Sequence, residues 1–299
     1  VTAVEPLTTA ASATPRRDQA RSERVQARRE RWRLLRRRPA FLFGSVVLLF
    51  WVVCAIGGEG ISPYKARQTG LPSTVGPNGD YLFGTDQLGR DVLSRVMVGA
   101  RDVLISAPLV ALLSITAGTL FGLVAGYVRG ITDEVISRVM EAILSIPVIL
   151  IGLLVLTNFG QSRWVLILTV SFLFTPIVFR TVRAATLAEA DLDYVMSARL
   201  RGEGALFTMT REILPNISGP IVVELTVRVG YAVFTIASIQ FIAGGGDPAN
   251  PEWGNQVAQT YNFINGGTWW PAVFPSLAIA SLVIAVNLIA DSVESVYAS

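Results

Sequence analysis

The chain has 299 residues, 52% of them hydrophobic and only 16% charged, with a mean hydropathy of +0.51. A soluble domain of this length covers itself with more charge, and the apolar runs are long enough to cross a hydrocarbon core of about 30 Å as helices of about 20 residues. The composition therefore points to an all-α membrane protein and excludes several chemistries. There is no histidine, which rules out His-based catalysis, His-Glu-x-x-His zinc sites and haem ligation by His. The single cysteine, Cys54, can form no intrachain disulfide and, lying in an apolar run, reads as a small apolar residue. Lys65 is the one lysine among 25 basic residues, and Ser62-Pro63-Tyr64-Lys65 is nothing like a phosphate-binding loop. If ATP drives this protein, another chain binds it.

Along the chain, residues 1–15 are small and polar and predict disorder. Eleven arginines follow between Arg16 and Arg38. A hydrophobic run comes directly after them, so they read as a basic segment on anionic lipid headgroups rather than a nucleic-acid arm. Phe41–Ile56 is followed by no small-x-small site, which argues against a secretory signal peptide. The expected division is an arginine-rich cytoplasmic segment, 1–40, and a membrane domain, 41–299. Arginine-heavy usage and an initial valine hint at an actinobacterial source.

Six spans are expected: Phe41–Ile56, Val103–Val128, Val139–Thr157 with Pro147 inside, Trp164–Phe179 with Pro176, Ile217–Ile242 and Ala272–Ile289. With the N-terminus in the cytoplasm, inner segments hold eighteen basic residues and outer ones six, so both termini are placed inside the cell. Trp253, Trp269 and Trp270 fall in the outer loop 243–271, where interfacial indoles are expected.

Two connections carry information. In the outer segment 83–101, Thr85 or Asp86 can cap a helix on which Leu88, Val92, Val96 and Ala100 share one face. The inner stretch 181–215 is too long and too charged for a plain connector. Val182, Ala185, Leu187, Leu192, Val195 and Ala198 predict a partly amphipathic helix, Gly202-Glu203-Gly204 a bend able to take positive φ, and Ala205–Leu214 a second helix ended by Pro215. Leu206 and Phe207 stand at the turn.

These residues resemble a family. Ser197-Ala198, Gly202 and Glu212-Ile213-Leu214-Pro215 are spaced like the cytoplasmic loop of bacterial ABC importer permeases, usually written Glu-Ala-Ala, three residues, Gly, nine residues, Ile-x-Leu-Pro. Met196, Ser197 and Glu212 depart from that pattern. The stretch from Phe83-Gly84-Thr85-Asp86 to Gly99-Ala100-Arg101 is similar to the signature of the dipeptide, oligopeptide and nickel branch. Pro251-Glu252-Trp253-Gly254-Asn255 and Asn287-Leu288-Ile289-Ala290-Asp291 echo the same branch, and the long outer segment after the first span resembles its C-type permease. The resemblance covers about residues 80–299 and implies a type I ABC importer permease fold with a coupling helix in the inner loop. It implies no cofactor and no catalytic residue in this chain. It also implies its partners: a homologous permease, cytoplasmic ABC ATPases that hydrolyse the ATP, an extracellular solute-binding protein, a peptide cargo, membrane lipid, and no nucleic acid. The loop residues implicated are Ser197, Ala198, Gly202, Gly204, Leu206, Phe207, Leu214 and Pro215. Nickel or another small solute is the alternative cargo.

Within the spans, Glu224 and Arg228 are four apart with the acid first, the favourable helical order. A charge in hydrocarbon must find a partner or water, so the pair is expected at a subunit interface or along the solute path. Two other classes remain. A secondary transporter or channel would show inverted repeats or an intramembrane ion site. An intramembrane aspartyl protease would use Gly244-Gly245-Gly246-Asp247, but no span supplies a convincing second aspartate.

Overall fold

The structure, a computed structural model, describes residues 34–297. The expected disorder of residues 1–15 and most of the arginine-rich segment lie outside the described residues. Among the described residues the chain is helical, and the sole β feature is an isolated bridge between Thr85 and Asp91.

The membrane-crossing elements are α1 (Pro39–Gly57), α2 (Val92–Val128), α3 (Gly130–Leu144) with α4 (Val148–Phe159), and α5 (Arg163–Ala190). After the loop helices α6 (Asp193–Leu200), α7 (Ala205–Phe207) and α8 (Leu214–Asn216) come α9 (Ser218–Ile242), α10 (Trp253–Thr260) and α11 (Trp270–Tyr297). Five of these helices are long and apolar enough to cross a membrane by themselves. The expected third span is not one straight helix. It breaks into α3 and α4, bent by 80°, because Pro147 cannot donate to the helix ladder and pushes Ile146 out of helical geometry. Counting the bent pair as one span restores six.

The α2 helix is longer than its apolar run. Its 37 residues extend roughly 55 Å, well beyond the roughly 30 Å of hydrocarbon. Its cap is Asp91, whose Oδ2 accepts from Ser94 N at 2.8 Å and Ser94 Oγ at 2.6 Å, and not Thr85 or Asp86. Those two lie in a loop, and Leu88, expected on the helix face, is outside the helix and 53% exposed.

Close packing in the bundle rests on glycine. Gly118, Gly122 and Gly126 recur every four residues on α2 and face Val178, Val182 and Thr186 of α5. A Cβ added at the three glycines would lie 2.5, 2.8 and 2.7 Å from the partner Cβ atoms. Such small-residue ridges let two backbones approach where no hydrophobic force separates protein from lipid. Apolar residues on the outer girth stay uncovered, among them Phe43, Val46, Leu49 and Phe50 of α1, as expected of a surface whose solvent is lipid.

Two of the three tryptophans expected at the interface are buried. Trp253 is fully enclosed, donates its indole N–H to Val96 O at 2.8 Å and meets Trp51 edge-on at 4.8 Å. Trp270 donates to Thr85 O at 2.9 Å. Only Trp269 is substantially exposed. Sequence cannot distinguish an interfacial indole from one that plugs a hole, and here Gly99 leaves the hole: a Cβ there would collide with the Pro251 carbonyl oxygen and the Trp253 ring.

Candidate functional site

At one end of the bundle, residues 191–217 form a helix–bend–helix with both arms changed from the expectation: the helix expected to carry Val182 to Ala198 is split at Asp191 and Leu192 between the end of α5 and α6. The first arm, α6, closes in a Schellman motif: Gly202 N donates to Arg199 O at 3.0 Å and Glu203 N to Ala198 O at 3.2 Å. That closure needs a left-handed residue, and Gly202 supplies it at φ +77°. No heavy atom would meet a Cβ there, so glycine is required for its backbone and not for space. Gly204, expected to share this role, has φ −67° and instead precedes α7. The second arm is not one α-helix. It is α7, a π-helical stretch over Thr208–Ile213, and α8 containing Pro215, with a break at Ile217 before α9.

Inward-facing residues fix the arms. Val195, Ile213 and Ile217 form a buried cluster with Val178, Val182 and Ala190 of α5 and with Ile115 and Leu123 of α2, and Ala198 is buried as well. Leu214 packs on its edge. Polar contacts tie the base: Arg129 pairs with Asp191 at 2.7 Å, and Tyr194 donates to Glu189 Oε2 at 2.5 Å. Burial and that carboxylate together push the Tyr194 phenol above its ordinary pKa. The far side is the reverse. Leu200 is 82% exposed, Leu206 72% and Phe207 49%, while Ser197, Gly202, Gly204 and Pro215 are exposed beside them. The loop thus has a packed root and an uncovered apolar tip on a rigid bend.

Deeper in the bundle, Glu224 and Arg228 form the expected i,i+4 pair, Arg228 Nε to Glu224 Oε2 at 2.9 Å. Both are enclosed within this chain. Thr181 of α5 donates to Glu224 Oε1 at 2.8 Å, and the Arg228 guanidinium lies 5.7 Å from the Phe174 ring and 5.4 Å from that of Tyr231. The pair joins α9 to α5 with its hydrogen bonds satisfied locally, the arrangement a buried charge requires.

At the opposite end, the residues that resemble the branch signature build a cap. Asp86 accepts from the backbone N of Leu88 and of Arg90 and, at 2.6 Å, from Arg90 Nε. Arg90 also reaches Pro248 O. Arg95, 1% exposed, donates to Ala66 O, Pro248 O and Asn250 O. Three separate stretches of chain are therefore pinned on two guanidiniums. The sequence marks this stretch but not its work, since the carbonyl of Ala66 lies 29 positions from Arg95 and those of Pro248 and Asn250 more than 150 from the arginines that bind them. Nearby, Glu252 accepts from Gln240 Nε2 at 2.8 Å and Asn255 Nδ2 at 2.7 Å, and burial raises its pKa. Asp247 is exposed in a turn that accepts its own downstream amides, Ala249 N and Asn250 N, so the glycine-aspartate motif is a turn and not half of a protease dyad.

An α-helical membrane bundle that carries a firmly rooted, apolar-tipped loop between two spans has the build of a transporter's membrane subunit. Residues 118–297 match the family described as binding-protein-dependent transport system inner membrane component, and residues 27–75 match the N-terminal TM domain of oligopeptide transport permease C. Among curated relatives, a putative peptide transport system permease protein of Brucella suis is 36% identical over 265 residues, 88% of each chain. The dipeptide transport system permease protein of Escherichia coli K12 is 34% identical over 270 residues, 88% of this chain and 90% of the relative. That of Haemophilus influenzae is 31% identical over 270 residues, 88% and 91%. The chain belongs to the family of binding-protein-dependent transport system inner membrane components, the type I ABC permeases. This replaces the secondary-transporter, channel and protease alternatives.

Proposed function

We propose that this chain is the C-type permease of a peptide importer, forming the solute path with a homologous permease and passing the work of separate ATPases into the membrane through the 191–217 loop. The relatives named above are peptide and dipeptide permeases, which favours peptide over nickel as cargo. The observation that carries the mechanism is the exposed Leu206–Phe207 tip standing on the Gly202 bend while the root packs on α2 and α5. A groove in an ATPase that grips the tip moves the root as a rigid body, and the spans packed on it follow. ATP closure of the ATPases then switches the cavity between its two openings, while an extracellular binding protein delivers cargo at the cap end. In this reading the loop and both termini are cytoplasmic, and Ser197, Gly204 and Pro215 flank the contact. Glu224 and Arg228 hold α9, a helix of the path, to α5.

Reconstitution tests it. The permease pair with its ATPases and binding protein should take up labelled dipeptide with peptide-stimulated ATP turnover, while the purified chain alone turns over no ATP. Reporters before Val1 and after Ser299 should lie inside the cell and one at Asn250 outside. ATP turnover by the lone chain, or an external C-terminus, would overturn the assignment.

A further inference from the structure

A groove of about 710 Å³ lies between α1, α2, α9 and α11. Its rim is at the cap end, where Ile56, 83% exposed, stands one residue before the end of α1. Arg101 of α2 flanks the same rim. Below it the walls are hydrocarbon, from Leu104 and Pro108 to Val229 and Leu282. The other polar lining side chain, Thr226, already donates to Val223 O of its own helix at 2.8 Å. Arg101 is exposed, and among the described residues its side chain makes no ion pair or hydrogen bond. The neighbouring carboxylate that could have neutralised it, Asp102, is paired with Arg163.

We infer that this groove holds one acyl chain of an anionic phospholipid whose headgroup phosphate is bound by Arg101. The match is one of order as well as chemistry. From Arg101 to Pro108 the wall descends roughly 10 Å, within the roughly 15 Å that one leaflet contributes to the hydrocarbon, with charge at the surface end and apolar walls beneath. A peptide would bring amides and charged termini that these walls cannot bind. A helix of the sister permease would cover an unpaired guanidinium, which costs more than leaving it to lipid and water. A lipid seated here would bridge α1 to the α2–α9–α11 core and set how far α1 can move.

The test uses the chain assembled with its sister permease in nanodiscs of equal phosphatidylglycerol and phosphatidylcholine, followed by native mass spectrometry. One retained phosphatidylglycerol is expected, favoured over phosphatidylcholine. Arg101→Gln, at an exposed unpaired position, should cut that preference about fivefold. Val229→Trp, which fills the groove, should release lipid of either kind. Equal retention of both lipids by the unaltered chain, or undiminished retention in Val229→Trp, would overturn the proposal. So would efficient cross-linking of Leu104→Cys, in a Cys54→Ala background, to the sister permease, since protein would then occupy the groove.

Discussion

The cap and the 191–217 loop both stand out in the sequence as motif-rich segments between spans, yet they are opposite kinds of surface. In the cap the distinctive side chains point inward: Arg95, Arg90, Asp86 and Trp253 are buried and bonded to one another or to distant backbone carbonyls. In the loop Val195, Ala198, Ile213 and Ile217 are buried at the root, while Leu200, Leu206 and Phe207 at the tip face out. Buried and bonded side chains hold a fold together, whereas a group of exposed large apolar ones is the kind of surface that marks an interaction site. The cap is a scaffold. The loop tip is an uncovered apolar surface.

The largest effect should come from breaking the cap. Trp253→Ala removes a fully buried ring and its hydrogen bond, and stability should fall by about 3–5 kcal/mol, read as a large drop in thermal unfolding of the purified chain in detergent. Arg228→Met should cost nearly as much, about 3–5 kcal/mol, because Glu224 is left charged and unpaired in the bundle. The double variant Glu224→Leu, Arg228→Met should recover most of that loss. If it does not, the pair has a role beyond its own neutrality.

The loop should behave differently. Phe207→Ala should leave thermal unfolding unchanged and weaken ATPase association by about 2 kcal/mol, roughly thirtyfold, measured by co-purification beside peptide uptake. Within the bend the two glycines separate. Gly202→Ala forces a side chain into the left-handed region and should cost about 1–2 kcal/mol, while Gly204→Ala, at negative φ with open space around it, should be nearly neutral. Equal effects at both positions would contradict the Schellman closure.

The smallest expected effect is a pH dependence of the cap. Glu252 is flanked by Gln240 of α9, Asn255 of α10, Arg163 of α5 and Asp247 of its own loop. Burial raises its pKa above the ordinary glutamate value, opposed by Arg163. The native chain therefore keeps a proton that the unfolded chain has released, so stability should decline as pH rises from about 4.5 through the raised folded value. Glu252→Gln should flatten that slope in thermal melts across pH. A slope unchanged in Glu252→Gln would place the titration elsewhere.

Much of this protein was determined by local sequence. Apolar run length set the membrane class, glycine placement set the Gly202 bend, and the four-residue spacing set the Glu224–Arg228 pair, because each depends on neighbours within one or two helical turns. The tertiary structure alone decided the rest. Whether Pro147 merely kinks a span or breaks it by 80° depends on what packs beside it. Trp253 was free by sequence to be an interfacial anchor or a core plug, and Gly99, more than 150 positions earlier, made it a plug. The sequence pointed to Thr85 or Asp86 as the cap. The helix began at Asp91 because Asp86 was claimed by Arg90, which reaches the carbonyl of Pro248. Long-range partners of this kind leave no periodicity in the chain. They come into being only when the bundle closes and each buried polar group must find its bond.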